Sequence, residues 1–311
     1  MLPKSRGTLS ADVFTALQSG STAHLGTEPE SEEDAQIALW TLYELHYRGF
    51  DEVDPELEWD PDLLRVRRSL ERTFEADLRR QWEESPLHAD PDLDLTGLVE
   101  RHDGPSLARF VRRKADREQV LEILKHRSIY HLKEADPTSW VVPRLETRVK
   151  AALMEIQFDE YGNGDPNRLH HHLFRRGMEA AGLRTDHACY IDEVPVEILA
   201  MNNAVTMFGL HRRLRGAALG HFAAFESTSS IPSRMLAQGL RRLDFPEQMA
   251  AYYDEHVEAD AVHEQVAVRD VCGAYLEEEP NDRDLVLFGA FTGMELEAHY
   301  ARLMLAQWGE S

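Results

Sequence analysis

The chain has 311 residues, of which 42% are hydrophobic and 29% charged, a composition typical of a folded protein with one large domain or two ordinary ones. Its 34 basic and 56 acidic residues give a net charge of −22, which argues against nucleic acid or an anionic membrane as a partner bound through bulk attraction. With only two cysteines, Cys189 and Cys272, a disulfide framework and a zinc knuckle are excluded, and we expect a reducing, cytoplasmic setting. No run of apolar residues is long enough to span a membrane, and no signal-peptide core is visible.

The predicted elements are almost all helices, so the expected fold class is all-α. Residues 1–35 are rich in Ser, Thr, Gly, Glu and Pro and predict a mobile tail. An apolar stripe at helical spacing begins at Gln36, and another helix is predicted over Asp62–Trp82, so residues 36–115 are assigned to an N-terminal helical extension. Residues 116–311 then predict a core bundle. Helices in and beside this core are expected at about 106–134, 139–161, 166–181, 195–230, 233–242, 246–274 and 281–308.

A sharp bend is predicted where the helix over 139–161 ends. Gly162 suits the position just past a helix end, because glycine adopts the left-handed conformation needed there. Asp165 has the pattern of an N-cap, with Pro166 at the first helical position. We therefore expect two helices to meet at this point.

The helix over 246–274 places three side chains of metal-binding type on one face. His256, Asp260 and His263 are spaced i, i+4 and i+7, and they share that face with Met249 and Tyr253. Burying such groups costs several kcal/mol unless they are paired or bind a cation. The pattern fits a metal site or a hydrogen-bonded polar seam, and by itself it does not decide between the two.

Other predicted helices also carry an acid among their inward apolar residues. Glu160 shares a face with Leu153 and Ile156, whereas Asp159 is expected on the opposite side. Glu134 and Glu226 are placed inward by the same periodicity.

A run of three histidines, His170-His171-His172, invites interpretation as a metal-binding tract. Helix geometry separates the three side chains, and only His170 shares a face with Phe174. His171 and His172 are therefore assigned to the surface.

The inward set contains four carboxylates and three imidazoles, which is more than one zinc ion needs. The set consists of Glu134, Glu160, His170, Glu226, His256, Asp260 and His263. Mixed oxygen and imidazole ligands on bundle helices suit two iron or manganese ions. Four carboxylates neutralise two Fe(II) ions, which favours iron, although dimanganese or mixed-metal occupancy would use the same ligands. The ferritin arrangement needs a Glu-x-x-His pair on each of two helices. This set has one comparable pair, Asp260-x-x-His263, and therefore does not follow the ferritin plan.

The sequence resembles the haem-oxygenase-like diiron oxidases, also called iron-containing redox enzymes, over about residues 116–308. The segments that carry the resemblance are KEADP at 133–137, KAALMEIQ at 150–157 running into DEYG at 159–162, His170 before Leu173-Phe174, GH at 220–221 with FESTSS at 225–230, and EHVEADAVHE at 255–264. The resemblance implies a seven-helix, haem-oxygenase-like bundle that holds two iron ions and uses O2 as co-substrate. It also implies that the seven inward residues are the iron ligands.

The order of the acids is especially similar to that in the diiron N-oxygenases of N-nitrosourea biosynthesis. That similarity implies N-oxygenation of a small amine or amino acid, with Glu160 taking part in catalysis. Tyr253, one turn before His256, is a second candidate catalytic residue. The alternatives are oxidative C–C cleavage, decarboxylation or desaturation of an amino or fatty acid, and a metal-free helical module that binds a ligand or a partner helix. A reductase or chemical reductant and a homodimer are further expectations.

Overall fold

The computed structural model describes residues 1–23 and 25–310, and for residues 258–262 it describes the backbone without the side chains. All regular secondary structure in these residues is helical, and no β-strand occurs among them. The predicted all-α fold class is confirmed. None of the helices in the described ranges combines the length and the hydropathy needed to cross a bilayer.

The N-terminal part of the chain forms five helices with well-defined starts. Ser31 and Asp60 act as N-caps, because their side chains accept hydrogen bonds from backbone N–H groups of the first helical turn. The helices are α1 (Thr8–Ser19), α2 (Glu32–Glu44), α3 (Pro61–Glu84), α4 (Leu95–Arg101) and α5 (Leu107–Arg113).

The prediction of a mobile tail is wrong for the segment that forms α1. Leu9, Val13 and Leu17 recur every four residues and are almost fully buried. Asp34 of α2, itself buried, accepts hydrogen bonds from the backbone N–H groups of Leu9 (3.2 Å) and Ser10 (2.8 Å) in the first turn of α1. The polar composition of the segment concealed a short apolar stripe that packs on α2. The boundaries at 35 and 115 remain predictions.

The rest of the chain forms the core, with α11 at its centre. Its helices are α6 (Arg117–His131), α7 (Asp136–Ser139), α8 (Thr147–Glu160), α9 (His170–Ala180), α10 (Val196–Leu210), α11 (Arg215–Arg242), α12 (Glu247–Gln265), α13 (Ala274–Glu278) and α14 (Arg283–Gln307). A π-helical segment, Val266–Gly273, joins α12 to α13.

Helices α11 and α14 approach closely through a reciprocal pair of glycines. A Cβ atom at Gly220 of α11 would lie 1.9 Å from the carbonyl oxygen of Val286, and one at Gly289 of α14 would lie 2.0 Å from that of Ala217. No larger residue fits at either position without moving a backbone. This contact fixes the stretch of α11 that leads to Glu226.

Several helix boundaries differ from the prediction. The helix expected over 106–134 is two helices, α5 and α6, because the chain breaks at 114–116. The helix expected over 139–161 begins only at Thr147. The helix expected over 195–230 is two helices, because the chain breaks at His211 and makes a 3₁₀ turn before α11 begins. The boundary expected between 230 and 233 is absent, since α11 continues through Pro232. Its far side buries Ala237 and Leu240 in the core, and this packing offsets the hydrogen bond that proline cannot make.

The predicted bend after α8 is present, but its capping differs. Gly162 has φ +69°, as expected for the residue past a helix end. Asp165 accepts a hydrogen bond from the backbone N–H of Asn167 (2.9 Å) and so closes a turn, whereas α9 begins only at His170. The predicted N-cap role of Asp165 is therefore wrong. The tight bend places Glu160, at the end of α8, against His170, at the start of α9.

Candidate metal centre

The structure brings six of the seven predicted ligands together in the interior of the core. Each of the six is at most 7% exposed. They come from the segment after α6 and from α8, α9, α11 and α12, and they are Glu134, Glu160, His170, Glu226, His256 and His263. The side chain of Asp260, the seventh, lies outside the described residues.

The six residues form two groups that share one carboxylate. In the first group, Glu134, Glu160, His170 and His256 place one ligand atom each within 4.8 Å of all the others. In the second group, Glu160, Glu226 and His263 do the same. Glu160 is therefore the one residue common to both groups.

The two oxygens of Glu160 face different histidines. Its Oε2 lies 3.0 Å from His170 Nδ1, and its Oε1 lies 3.9 Å from His263 Nδ1. The other two carboxylates lie close to imidazoles, with 3.3 Å between His256 Nε2 and Glu134 Oε1 and 3.3 Å between His263 Nδ1 and Glu226 Oε2.

These donors fit a metal ion better than they fit one another. Glu134 Oε2 is buried and makes no hydrogen bond to a described residue, and His170 Nδ1 and His263 Nδ1 are buried beside carboxylates without hydrogen-bond geometry. Leaving such groups unsatisfied costs about 1–3 kcal/mol each, and more for charged groups. Carboxylate oxygens and imidazole nitrogens are the donors that iron and manganese accept.

Residues outside the donor set contact its members and fix their orientation. The Nδ1 of His256 lies 2.9 Å from the carbonyl oxygen of Tyr252, which assigns the proton to Nδ1 and leaves Nε2 directed at the centre. The hydroxyl of Tyr252 donates to Glu134 Oε1 (2.8 Å) and contacts His131 Nδ1 (2.8 Å). In the second group, Asp159 Oδ2 lies 3.1 Å from His263 Nε2. Such supporting contacts are typical of metal ligands.

Without a metal ion, the buried carboxylates of the centre favour protonated imidazoles beside them. Burial alone would raise the pKa of Glu134, but His256 and His131 hold it well below its usual value. Burial would lower the pKa of His263, but the carboxylates of Glu226 and Glu160 raise it to about 9. Glu160 likewise outweighs burial and raises the pKa of His170. Without a cation, protons take its place beside these carboxylates.

A narrow cavity with about 420 Å³ of empty space, part of it open to solvent, reaches the centre. Its lining combines four of the donor residues with apolar and neutral polar side chains. Burial lowers the pKa of His221 to about 4, so its imidazole is neutral. Burial and the nearby carboxylates raise the pKa of Tyr130 well above its usual value, so its phenol is protonated. The residues that line the cavity are Tyr130, Glu134, Ala135, Thr138, Gln157, Glu160, Val205, His221, Phe222, Phe225, Glu226 and His256.

Two residues that support the ligands, Tyr252 and Asp159, are not evident from the sequence. Tyr253, the predicted candidate, packs its ring 4.9 Å from that of Tyr252 and is not among the described residues that line the cavity, whereas Tyr252 contacts Glu134. Asp159, expected to face away from the site, contacts His263 from the edge of the centre. Helical spacing carries no signal for either, because each contact depends on a residue from another segment of the chain. The catalytic roles of Glu160 and Tyr253 remain predictions.

Comparisons with known proteins bear on the fold and the family of the chain. No curated protein sequence matches the chain significantly. The structure of a CADD-like protein of unknown function from Nostoc punctiforme is similar in fold, with a TM-score of 0.51 and 16% identity, covering 76% of this chain and 97% of that one. The model of the iron-containing redox enzyme family matches residues 121–298, more than half of the chain. The resemblance inferred from the sequence is thus confirmed at the level of the family, and the helical core is a haem-oxygenase-like bundle. The chain belongs to the iron-containing redox enzyme family.

Proposed function

We propose that this oxidoreductase is a non-haem diiron oxygenase that N-oxygenates a small amine or amino acid. The observation that carries the diiron part is the pair of donor groups that share Glu160. One group offers Glu134, His170 and His256 beside the shared carboxylate, and the other offers Glu226 and His263. Asp260 is proposed as the remaining ligand of the second group.

The donor set would neutralise two ferrous ions. Glu134, Glu160, Glu226 and Asp260 supply four negative charges, and the imidazoles bind in their neutral form. A neutral buried site avoids the solvation cost of an isolated charge. Iron held there would supply the activation of O2.

The cavity favours an amine over an acid as the group presented to the centre. No Lys or Arg is among the described residues that line it, so a substrate carboxylate would enter without a cationic partner. The neutral imidazole of His221 can accept a hydrogen bond from an amine N–H. Phe222, Phe225 and Val205 supply apolar walls that hold back water.

The proposed conversion is R–NH2 + O2 + 2 e⁻ + 2 H⁺ → R–NHOH + H2O. A C–H or C–C bond is not broken, one oxygen atom forms the new N–O bond, and the other leaves as water. The two electrons come from a reductase or a chemical reductant.

The experiment compares primary amines and amino acids with matched carboxylic acids, using Fe(II)-loaded protein, a reductant and ¹⁸O2. We expect mass spectrometry to find one ¹⁸O atom on nitrogen in a product that retains all its carbon. Loss of CO2, a new double bond or a cleaved C–C bond would instead assign the alternative oxidative chemistry. No turnover together with no metal uptake would favour the metal-free module.

A matched pair of variants links turnover to the site. Glu160→Gln changes the shared ligand, whereas Glu155→Gln changes an exposed acid one and a half turns earlier in α8. We expect the first to lose turnover and the second to retain it.

A further inference from the structure

A second pocket lies at the start of α9, and it shares no lining residue with the cavity of the metal centre. It holds about 330 Å³ of empty space, part of it open to solvent. Its lining consists of Arg48, Leu132, His171, His172, Arg175, Thr185 and His187. It therefore contains the two histidines of the triple run that the metal centre does not use.

The lining is basic in a strongly acidic protein. It has two guanidinium groups, three imidazoles and one hydroxyl, and no carboxylate is among these described lining residues. The chain as a whole has a net charge of −22. A local excess of hydrogen-bond donors in such a chain is the arrangement expected around an anion.

The charge of Arg48 is not used within the fold. No ion pair of its guanidinium occurs among the described residues, and the side chain is exposed at the pocket. On the opposite wall, Glu179 holds Arg175 through Nε (3.2 Å) and also accepts a hydrogen bond from the Thr185 hydroxyl (3.2 Å). Glu179, outside the lining, thus orients Arg175 through Nε alone and takes up the hydroxyl hydrogen-bond donor of Thr185.

Another lining residue, His187, is also held in place. His187 Nε2 lies 2.7 Å from Glu44 Oε1, and the same buried carboxylate pairs with Lys133 (3.0 Å). Because Lys133 already neutralises it, Glu44 does not cancel the charge of the two arginines. His171 and His172 lie in the first turn of α9, where the helix dipole adds to the positive potential.

We propose that this pocket binds a small oxyanion, a phosphate or carboxylate group, with Arg48 and Arg175 as its main ligands. Guanidinium groups bind both anions through paired N–H donors. Arg48 follows α2 and Arg175 lies in α9, so a bound anion would join the N-terminal helices to the core. The proposal does not depend on the metal centre.

The test is calorimetric titration of the full-length protein with inorganic phosphate and, separately, with acetate, both at constant ionic strength. We expect saturable binding of one anion per chain. Arg48→Gln and Arg175→Gln should each weaken it about tenfold or more, since each removes a charge-assisted contact. Arg176→Gln is the matched control, because Arg176 is the exposed neighbour of Arg175 and does not line the pocket.

The titrations with the two anions show which type of ligand the pocket binds. Saturation by phosphate assigns a phosphate-type ligand, and saturation by acetate assigns a carboxylate. Binding of neither anion, or equal weakening by all three variants, would overturn the proposal. Metal-loaded and metal-free protein should bind alike, so failure here and failure of the proposed oxygenase activity are separate results.

Discussion

The hydroxyl of Tyr252 provides a test of how the metal centre is held. Tyr252 is 1% exposed, and its ring packs edge-on against those of Phe174 (4.9 Å) and His256 (4.6 Å). Its hydroxyl donates to Glu134 Oε1 over 2.8 Å. The substitution Tyr252→Phe removes this hydrogen bond and leaves the ring packing intact.

The expected effect follows from the charge on Glu134. A hydrogen bond to a charged group contributes about 1.5–3 kcal/mol, and 1.4 kcal/mol corresponds to a tenfold change in an equilibrium constant. Loss of one supporting contact behind a metal ligand costs about 10–100-fold in affinity. Both considerations predict that Tyr252→Phe binds metal about 10–100-fold more weakly.

The assay is anaerobic titration with Fe(II) in competition with a coloured chelator. Tyr253→Phe is the matched control, because Tyr253 is also buried and its hydroxyl makes no hydrogen bond to a described residue. We expect the control to bind metal as the wild type does. If Tyr252→Phe kept wild-type affinity, or if Tyr253→Phe had the larger effect, the proposed orientation of Glu134 would be wrong.

Three further predictions concern protonation and packing. The pKa of His263 is raised to about 9, so at lower pH a proton competes with the metal ion for this imidazole. Metal affinity, measured by titration at each pH, should therefore increase with pH by up to about tenfold per unit between pH 7 and 9. Gly220→Ala should lower stability by about 1–3 kcal/mol in chemical denaturation, because its Cβ would meet a carbonyl of α14, whereas Gly273→Ala, with its nearest contact at 3.5 Å, should not. Lys133→Met should destabilise the protein by about 3–5 kcal/mol, since it leaves the buried carboxylate of Glu44 without its cation. The pKa of Glu44 is lowered from 4.5 to about 2, so the stabilisation from this pair is fully present above about pH 4.5 and is lost as the pH falls towards 2.

Each of these expectations has a contradicting result. Metal affinity that does not change with pH would show that no proton leaves His263 on binding. Equal stability of the two glycine variants would mean that the contact between α11 and α14 can relax. A Lys133→Met variant as stable as the wild type, with the same acid denaturation, would show that Glu44 is not stabilised by this pair.

Helical periodicity identified most of the candidate ligands because they lie on helices with an apolar inward face, whereas Glu134 lies in the turn just after α6. A carboxylate such as Glu226 or an imidazole such as His256 is conspicuous among apolar residues at a spacing of 3.6. The same pattern does not show which of two adjacent buried residues on one helix reaches the site. Tyr252 and Tyr253 are both buried, and only the position of Glu134 on another segment decides which hydroxyl reaches it.

The features that the sequence did not reveal depend on contacts between distant segments. The break at His211 comes two residues after Gly209, but that glycine is still helical, and a single glycine inside a helical pattern does not by itself mark a helix end. Helix α1 is stable only because Asp34 and the apolar face of α2 receive it. The basic pocket joins Arg48 to Arg175 across the fold, and no local pattern links two exposed arginines so far apart.

The most direct test of the diiron proposal is the number of Fe(II) ions bound per chain at saturation, measured by anaerobic equilibrium dialysis and metal analysis. Two donor groups that share Glu160 predict two ions per chain in the wild type and fewer in the Glu160→Gln variant. Saturation at one ion, or no specific uptake, would contradict a dinuclear centre.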